Sequence, residues 1–419
     1  MENPNNAKRD ARCHSTFDYS ILARDVTVGN DDRVTGRNAN FAIIGGSGSG
    51  KTTYVCANLN NPDGSSIVVQ DTKGRLCSQY KKTLINNGYN VYVVDFVNPE
   101  KSFGYNPLKY IHKRPDGTYR EKDIKKLATL LMPRNLDRDT FWQKAAIRYI
   151  CILIGYVCEA LPESEHTMSS VIRLHRLFMN GDGDELMNKY KEECPDSYVS
   201  RKFDMMNGSR NAEKMWSSIY EFATEALDPF DCVEFHNIFD CPASINLHHI
   251  GERRTVLFIN TSDNDTAYGV LVNIFNSQLL QTLLEDADKN ENGRLKMPVR
   301  IYLDDFAASA GQISDFDNTI SVIRSRGISV SIMLQSISQL ENMYSPERAV
   351  TILNNCDTTL FLGTNDISTA KYISSHVNIT PHSVLSLPSD KAILLRSGEE
   401  PRYVYKLTPQ DEITGIINQ

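Results

Sequence analysis

The sequence predicts an α/β fold, a largely parallel sheet with helices on both faces, into which an all-helical segment is inserted. Three observations predict it. Short, continuously apolar runs alternate with amphipathic helices over the first hundred residues. From about residue 121 to residue 227 the periodicity is helical almost throughout. Strand–helix alternation then resumes near residue 254. Apolar runs without polar alternation mark strands covered on both faces, the situation of a parallel sheet.

Taken in order, residues 41–45 read as a strand, 51–59 as a helix and 66–71 (SIVVQD) as a second strand. Leu76, Tyr80 and Leu84 mark one face of a helix stopped by Asn87-Gly88, a good C-terminal cap. Residues 91–96 (VYVVDF) are a third strand. In the helical stretch, sets such as Ile124/Leu127/Ala128/Leu131 and Trp216/Ile219/Tyr220/Ala223 repeat at helical spacing. Strands follow at 254–260 (RTVLFIN), 299–303 (VRIYL), 328–334 and 358–362, with a helix over 269–284. The chain closes with a hairpin of 392–396 and 403–406 around SGEEP. This divides the chain into a nucleotide-binding domain in two parts, residues 1–118 and 243–419, around an all-α domain at residues 119–242.

The 419 residues carry a formal net charge of -7, which argues against wholesale coating of nucleic acid and leaves only local basic patches for it. Lys122, Lys125 and Lys126 form one such patch and Arg253-Arg254 another. Nine scattered cysteines with no C-x-x-C pair fit reduced thiols rather than a disulfide framework or zinc site. The N-terminal residues have no apolar core, so they are not a signal peptide. The greasiest run, residues 147–157, falls short of the roughly 20 apolar residues a membrane span needs. It reads as a buried helix of a soluble, cytoplasmic chain.

The chemistry concentrates in GGSGSGKT, residues 45–52, a match to G-x-x-x-x-G-K-[ST] between a strand and a helix. Gly45, Gly46, Ser47, Gly48, Ser49 and Gly50 let successive N–H groups face phosphate oxygens, with Thr53 next in the helix. Lys51 reaches the β- and γ-phosphates, and the Thr52 hydroxyl ligates Mg²⁺. The expected ligands are therefore ATP and Mg²⁺. A carboxylate on a neighbouring strand completes such a site. LDD, residues 303–305, supplies Asp304 to hold the metal through water and Asp305 to orient or deprotonate the attacking water. Gln335, an amide at the end of a buried strand, suits a γ-phosphate sensor. Arg324 and Arg326 end a helix, where the dipole favours cations, and either suits an arginine finger. Asp71 ends the second strand, beside the expected nucleotide.

Together these stretches resemble the VirD4/TraG-type conjugative coupling ATPases of type IV secretion, in the form found in Gram-positive mobile elements. The carriers are GGSGSGKT, VVQDTKG (68–74), FGYNPLKYI (103–111), FWQKAA (141–146), LDDFA (303–307), ISVIRSRGISVSIMLQSISQL (320–340) and NNCDTTLFLGTND (354–366). The resemblance implies a RecA-like P-loop NTPase domain with an inserted all-α domain, working as a homo-hexamer, or a monomer when isolated. It implies a relaxase or relaxosome with single-stranded DNA as cargo, type IV secretion channel components as partners, and a place at the inner face of the membrane. It makes Lys51 and Thr52 nucleotide residues, Asp304 the Walker B acid, Arg324 the finger and Gln335 the sensor. The sequence departs from the family at Asp305, where Glu is usual, at Thr72 for Pro and at Ala308 for Asn, and the segment 375–387 is shorter. The family's N-terminal membrane anchor has no counterpart here, as in a soluble or shortened member. Two other readings stay open: a DNA translocase of the segregation or repair type, and a nucleotide-gated docking adaptor that hardly hydrolyses ATP.

Overall fold

The computed structural model describes residues 19–72, 74–132, 140–207, 213–241, 244–262, 268–307 and 312–409. Eleven strands lie among them. β1 (Tyr19–Ala23) and β2 (Val26–Gly29) form a separate antiparallel hairpin. The other nine make one sheet: β3 (Phe41–Ile44), β4 (Ser66–Asp71), β5 (Asn90–Asp95), β6 (Thr255–Asn260), β7 (Val299–Leu303), β8 (Ile328–Leu334), β9 (Thr358–Phe361), β10 (Lys391–Arg396) and β11 (Arg402–Tyr405). Their order is β11-β10-β9-β3-β8-β7-β4-β6-β5. The seven strands from β9 to β5 are parallel, and β10 and β11 run antiparallel at one edge.

Alternation along the buried strands separates two cores. In β3, Phe41 and Ile43 face a layer containing Tyr54, Leu59, Leu76 and Leu84, from the helices Lys51–Asn60 and Arg75–Asn86. Ala42 and Ile44 face the opposite layer, which includes Ile274 and Phe275 of the helix Gly269–Lys289. A strand with apolar residues at every position is thus used on both sides, the physical reason its run carries no polar alternation.

Between β5 and β6 the described chain runs through helices Glu121–Leu131, Thr140–Ala160, Met168–Met179, Gly183–Glu193, Tyr198–Asn207 and Glu213–Leu227. Their apolar faces form one continuous buried cluster with one face of the sheet. The apolar run at 147–157 is the middle of a 21-residue helix. By length and composition Phe141–Ala160 could cross a membrane. Here its Ala146, Ile150, Leu153, Ile154 and Val157 are buried in that cluster.

Two local differences from the sequence expectation have clear causes. The β1–β2 hairpin lies outside the predicted set: β2 is half exposed and carries no continuous apolar run. The predicted helix ending at Arg324 and Arg326 breaks in two: Phe316–Val322 is α-helical and Arg324–Arg326 is a 3₁₀ turn. Gly327 closes that turn with φ of 76°, a left-handed position that favours glycine.

Candidate active site

The loop from Gly45 to Thr52 leaves the C-terminal end of β3, between β8 and β9. Gly45 N–H donates to Leu334 O (2.9 Å) and Gly46 N–H to Gly363 O (3.0 Å), so both neighbouring strands hold it. Gly48 and Gly50 have φ of 73° and 108°, conformations that any side chain would strain. A Cβ on Gly45 would stand 2.3 Å from Ser49 Oγ and 2.8 Å from Leu362 Cβ. The helix Lys51–Asn60 follows with no side-chain cap and no acidic residue in its first turn. Its first N–H groups therefore have no intrahelical acceptor and concentrate positive potential at the loop. This backbone fits a phosphate chain, and the exposed Thr52 stands where a metal can reach its hydroxyl.

Lys51 is buried, its Nζ donating to Gly45 O at 2.8 Å and Gly46 O at 3.2 Å. The same Nζ lies 3.8 Å from Asp305 Oδ1. Asp304 and Asp305 follow β7, and Gln335 follows β8, so all three sit at C-terminal strand ends beside the loop. Asp305 has φ of 46°, an uncommon position for a residue with a side chain. The turn lets Asp305 N–H donate to Asp304 Oδ1 (3.0 Å) and Phe306 N–H return to Met333 O on β8 (3.0 Å). Gln335 Nε2 donates to Asp305 Oδ1 at 3.1 Å. Asp304 is buried. Burial and the Asp305 charge push its carboxyl up to about 6, with Lys51 pulling the other way.

Lys51, Asp304, Asp305 and Gln335 are thus brought together, with Gly45, Gly46, Ser47, Gly48, Ser49, Gly50, Thr52 and Thr53 in the loop and first turn of the following helix. Arg324 is not, and two strands separate Asp71 from the loop. Asp71 ends β4, so β8 and β7 stand between it and β3, and it neighbours Asp304 at the end of β7. Its Oδ2 accepts the Leu76 N–H (2.7 Å) at the start of the helix Arg75–Asn86, and its charge acts on Asp304. Arg324 precedes β8, whose seven residues span about 23 Å at ~3.3 Å each, so it stands at the N-terminal strand ends, opposite Gln335. It is absent from this site for that reason. Ala308 and Lys73 lie outside the described residues. The loop Gly363–Thr364 after β9 abuts the phosphate loop through the Gly46–Gly363 bond; sequence reasoning missed it, and a glycine directly after an apolar strand was the available signal.

The two basic patches lie apart. Lys122, Lys125 and Lys126 are exposed on the helix Glu121–Leu131 and border a cleft of about 1690 Å³ that reaches Ala307 and Gln339, near the C-terminal strand ends. Arg253 and Arg254 precede β6 at the N-terminal strand ends, and Arg254 lies over the Tyr89 ring.

A family model for the type IV secretory system conjugative DNA transfer proteins matches residues 5–378. The chain belongs to that family. Among curated conjugative DNA-transfer relatives, the conjugal transfer protein TraG of Agrobacterium fabrum (strain C58) is 23% identical over 401 residues, which is 86% of this chain and 58% of TraG. The chain therefore spans well under two thirds of that relative. Among solved structures, the plasmid coupling protein TrwB in complex with the GTP analogue GDPNP superposes with a TM-score of 0.70 at 15% identity, covering 93% of this chain and 89% of TrwB. TrwB with ADP and Mg²⁺ gives 0.69 at 14% identity, over 93% of this chain and 88% of TrwB. VirB4 of Thermoanaerobacter pseudethanolicus gives 0.58 at 13%, over 89% and 91%. At such identities these likenesses speak for the fold, a RecA-like P-loop NTPase with a mixed, mostly parallel nine-stranded sheet.

Proposed function

We propose that the chain is the ATPase core of a conjugative coupling protein, which recruits a relaxase–DNA substrate and drives its delivery to a type IV secretion channel. The observation that carries the reading is the convergence of Lys51, Asp304, Asp305 and Gln335 on one phosphate loop. ATP lies with its β- and γ-phosphates against the N–H groups of residues 45–52. Lys51 then exchanges its contacts with the Gly45 and Gly46 carbonyls for phosphate oxygens. Thr52 and, through water, Asp304 would hold Mg²⁺, which would neutralise charge on the phosphates. Asp305 orients the attacking water and accepts its proton as the oxygen bonds to the γ-phosphorus and the bond to the β–γ bridging oxygen breaks. Gln335 donates its amide N–H to the γ-phosphate. Arg324, remote from its own loop, acts on the nucleotide of a neighbouring protomer, which makes a homo-hexamer the working form. In this reading residues 119–242 act as a helical domain facing cargo, residues 1–118 and 243–419 form the motor, and the protein works at the inner face of the membrane.

Purified protein should hydrolyse ATP with Mg²⁺, faster with single-stranded DNA and relaxase, and Lys51→Ala should abolish turnover. Turnover indifferent to both DNA and relaxase would sink the coupling role, and unchanged hydrolysis in Lys51→Ala would remove the loop assignment.

One observation favours a second reading, a nucleotide-gated docking adaptor. Asp305 is one methylene shorter than Glu and already engages Lys51 and Gln335. Near-zero wild-type turnover that rises sharply in Asp305→Glu would select the adaptor; robust wild-type turnover would eliminate it.

A further inference from the structure

We infer that Asp32 and Arg294 are positioning residues for Arg324, holding its guanidinium at the protomer surface in the orientation in which it meets a neighbouring subunit's nucleotide. The inference rests on the trans-acting reading of Arg324 given above.

Asp32 opens the short helix Asp32–Thr35, whose start is fixed by Asp31 accepting the Arg33 N–H (3.0 Å) and whose end is the left-handed Gly36 (φ 70°). The Asp32 carboxylate is gripped by both arms of one guanidinium: Arg294 Nη2 lies 2.6 Å from Oδ1 and Nη1 3.2 Å from Oδ2. Such bidentate pairs are geometrically specific as well as strong. Arg294 is also tied to the turn that carries Arg324. Its Nη1 donates to Ser325 O (3.2 Å), and the next residue, Leu295, donates its N–H to Arg326 O (3.0 Å). Arg324 itself donates from Nη2 to Gly36 O (2.7 Å), and its Nε stands 3.8 Å from Asp32 Oδ2. Two guanidinium groups thus share one carboxylate and one short helix, along a concave surface of about 620 Å³.

The contrast in exposure gives the arrangement its meaning. Arg294 and Asp32 are 20% and 16% exposed, whereas Arg324 is 44% exposed. The inner pair is a fixed mount and the outer arginine is the presented group. A long basic side chain loses rotamer freedom when immobilised. Restraining it before subunits meet removes part of that cost from the catalytic encounter. The contact to Asp32 is loose at 3.8 Å, so a phosphate of the neighbour can replace it without a buried charge being stranded.

The test uses the full chain with Mg²⁺, ATP and single-stranded DNA. Arg324→Ala should lose most turnover, within the 10³–10⁵-fold range of arginine fingers. Asp32→Asn should lower kcat about tenfold, a small part of that range, with KM for ATP unchanged. Mixing supplies a readout that a local structural role would not move. Lys51→Ala protomers cannot turn over but carry an intact Asp32–Arg294–Arg324 set. Added to Asp32→Asn protomers they should restore turnover per functional site. Arg294→Gln should behave as Asp32→Asn does, and stands in for it if that variant does not fold. Loss in Arg324→Ala with no loss in Asp32→Asn or Arg294→Gln overturns the positioning role alone. Loss in Asp32→Asn without rescue by Lys51→Ala protomers overturns it too, placing the defect in the same protomer. Full activity of Arg324→Ala overturns the trans reading on which the inference stands.

Discussion

Lys51 and Asp305 face each other across the C-terminal strand ends, with Nζ 3.8 Å from Oδ1. The same carboxylate oxygen accepts the Gln335 amide at 3.1 Å. A triphosphate competes for both donors, because Lys51 and Gln335 are the groups proposed to meet the γ-phosphate. Asp305 therefore acts on binding and on turnover with opposite signs. Asp305→Asn keeps the shape, removes the competing charge and removes the proton acceptor. It should bind ATP severalfold more tightly by titration while kcat falls on the order of 10²–10⁴-fold, the usual worth of a general base. Weaker ATP binding in this variant would contradict the competition.

Asp304 makes stability depend on pH. Its carboxyl sits at about 6 in the fold, against about 3.9 in an unfolded chain. The folded chain therefore keeps a proton that the unfolded chain has released, so this contribution to stability is complete below about pH 4 and is lost as pH rises through about 6. About two pH units at ~1.4 kcal/mol each make it roughly 3 kcal/mol. Asp304→Asn retains the oxygen that accepts the Asp305 N–H and carries no charge. Without nucleotide, it should melt above wild type at pH 8, with the gap closing as pH falls through 6 towards 4. Its Mg²⁺-dependent affinity for ATP should be lost at every pH. A melting difference that stays constant across pH would remove the burial argument.

Gly45 and Gly46 are adjacent in the loop but differ in what a side chain would meet. A Cβ on Gly45 would collide with Ser49 Oγ and Leu362 Cβ, whereas one on Gly46 meets nothing within 4 Å. Gly45→Ala should thus cost about 1–3 kcal/mol as overpacking and weaken nucleotide binding, while Gly46→Ala leaves the melting temperature within about 1 °C. Denaturant unfolding and titration with a fluorescent ATP analogue compare the two. Equal effects would mean that the loop yields at Gly45.

Much of this was legible in the sequence because it is carried by local patterns. The strands 66–71, 299–303 and 328–334 have the boundaries their apolar runs predict. The loop 45–52 and the pair Asp304–Asp305 announce themselves by composition at strand ends. What was hidden is order across the sheet. Asp71 does stand at a C-terminal strand end, yet no residue in SIVVQD tells that β7 and β8 intervene between it and β3. The mount of Arg324 was hidden for the same reason: Asp32 and Arg294 are 262 positions apart, and each reads alone as an ordinary surface charge. The left-handed turn at Asp305 was hidden too, since aspartate tolerates positive φ without requiring it.

Gln335 gives the sharpest separation of binding from chemistry. It follows β8, its amide held by Asp305, and Ser336 behind it caps the next helix by accepting the Gln339 N–H at 3.2 Å. The amide is thus placed by a strand and a helix cap rather than by a loose loop, and losing it should leave the backbone where it is. A donor aimed at charge that builds on the γ-phosphate is worth most in the transition state. Gln335→Ala should therefore leave the Kd for ATP within about threefold and lower kcat and kcat/KM together by about 10²–10³-fold, as removal of one preorganised donor does elsewhere. Gln335→Glu sets a second carboxylate against Asp305 and should be no better, with ATP binding weakened by the added charge. A Gln335→Ala variant that raised KM with kcat intact would make Gln335 a binding residue and leave the γ-phosphate without its sensor.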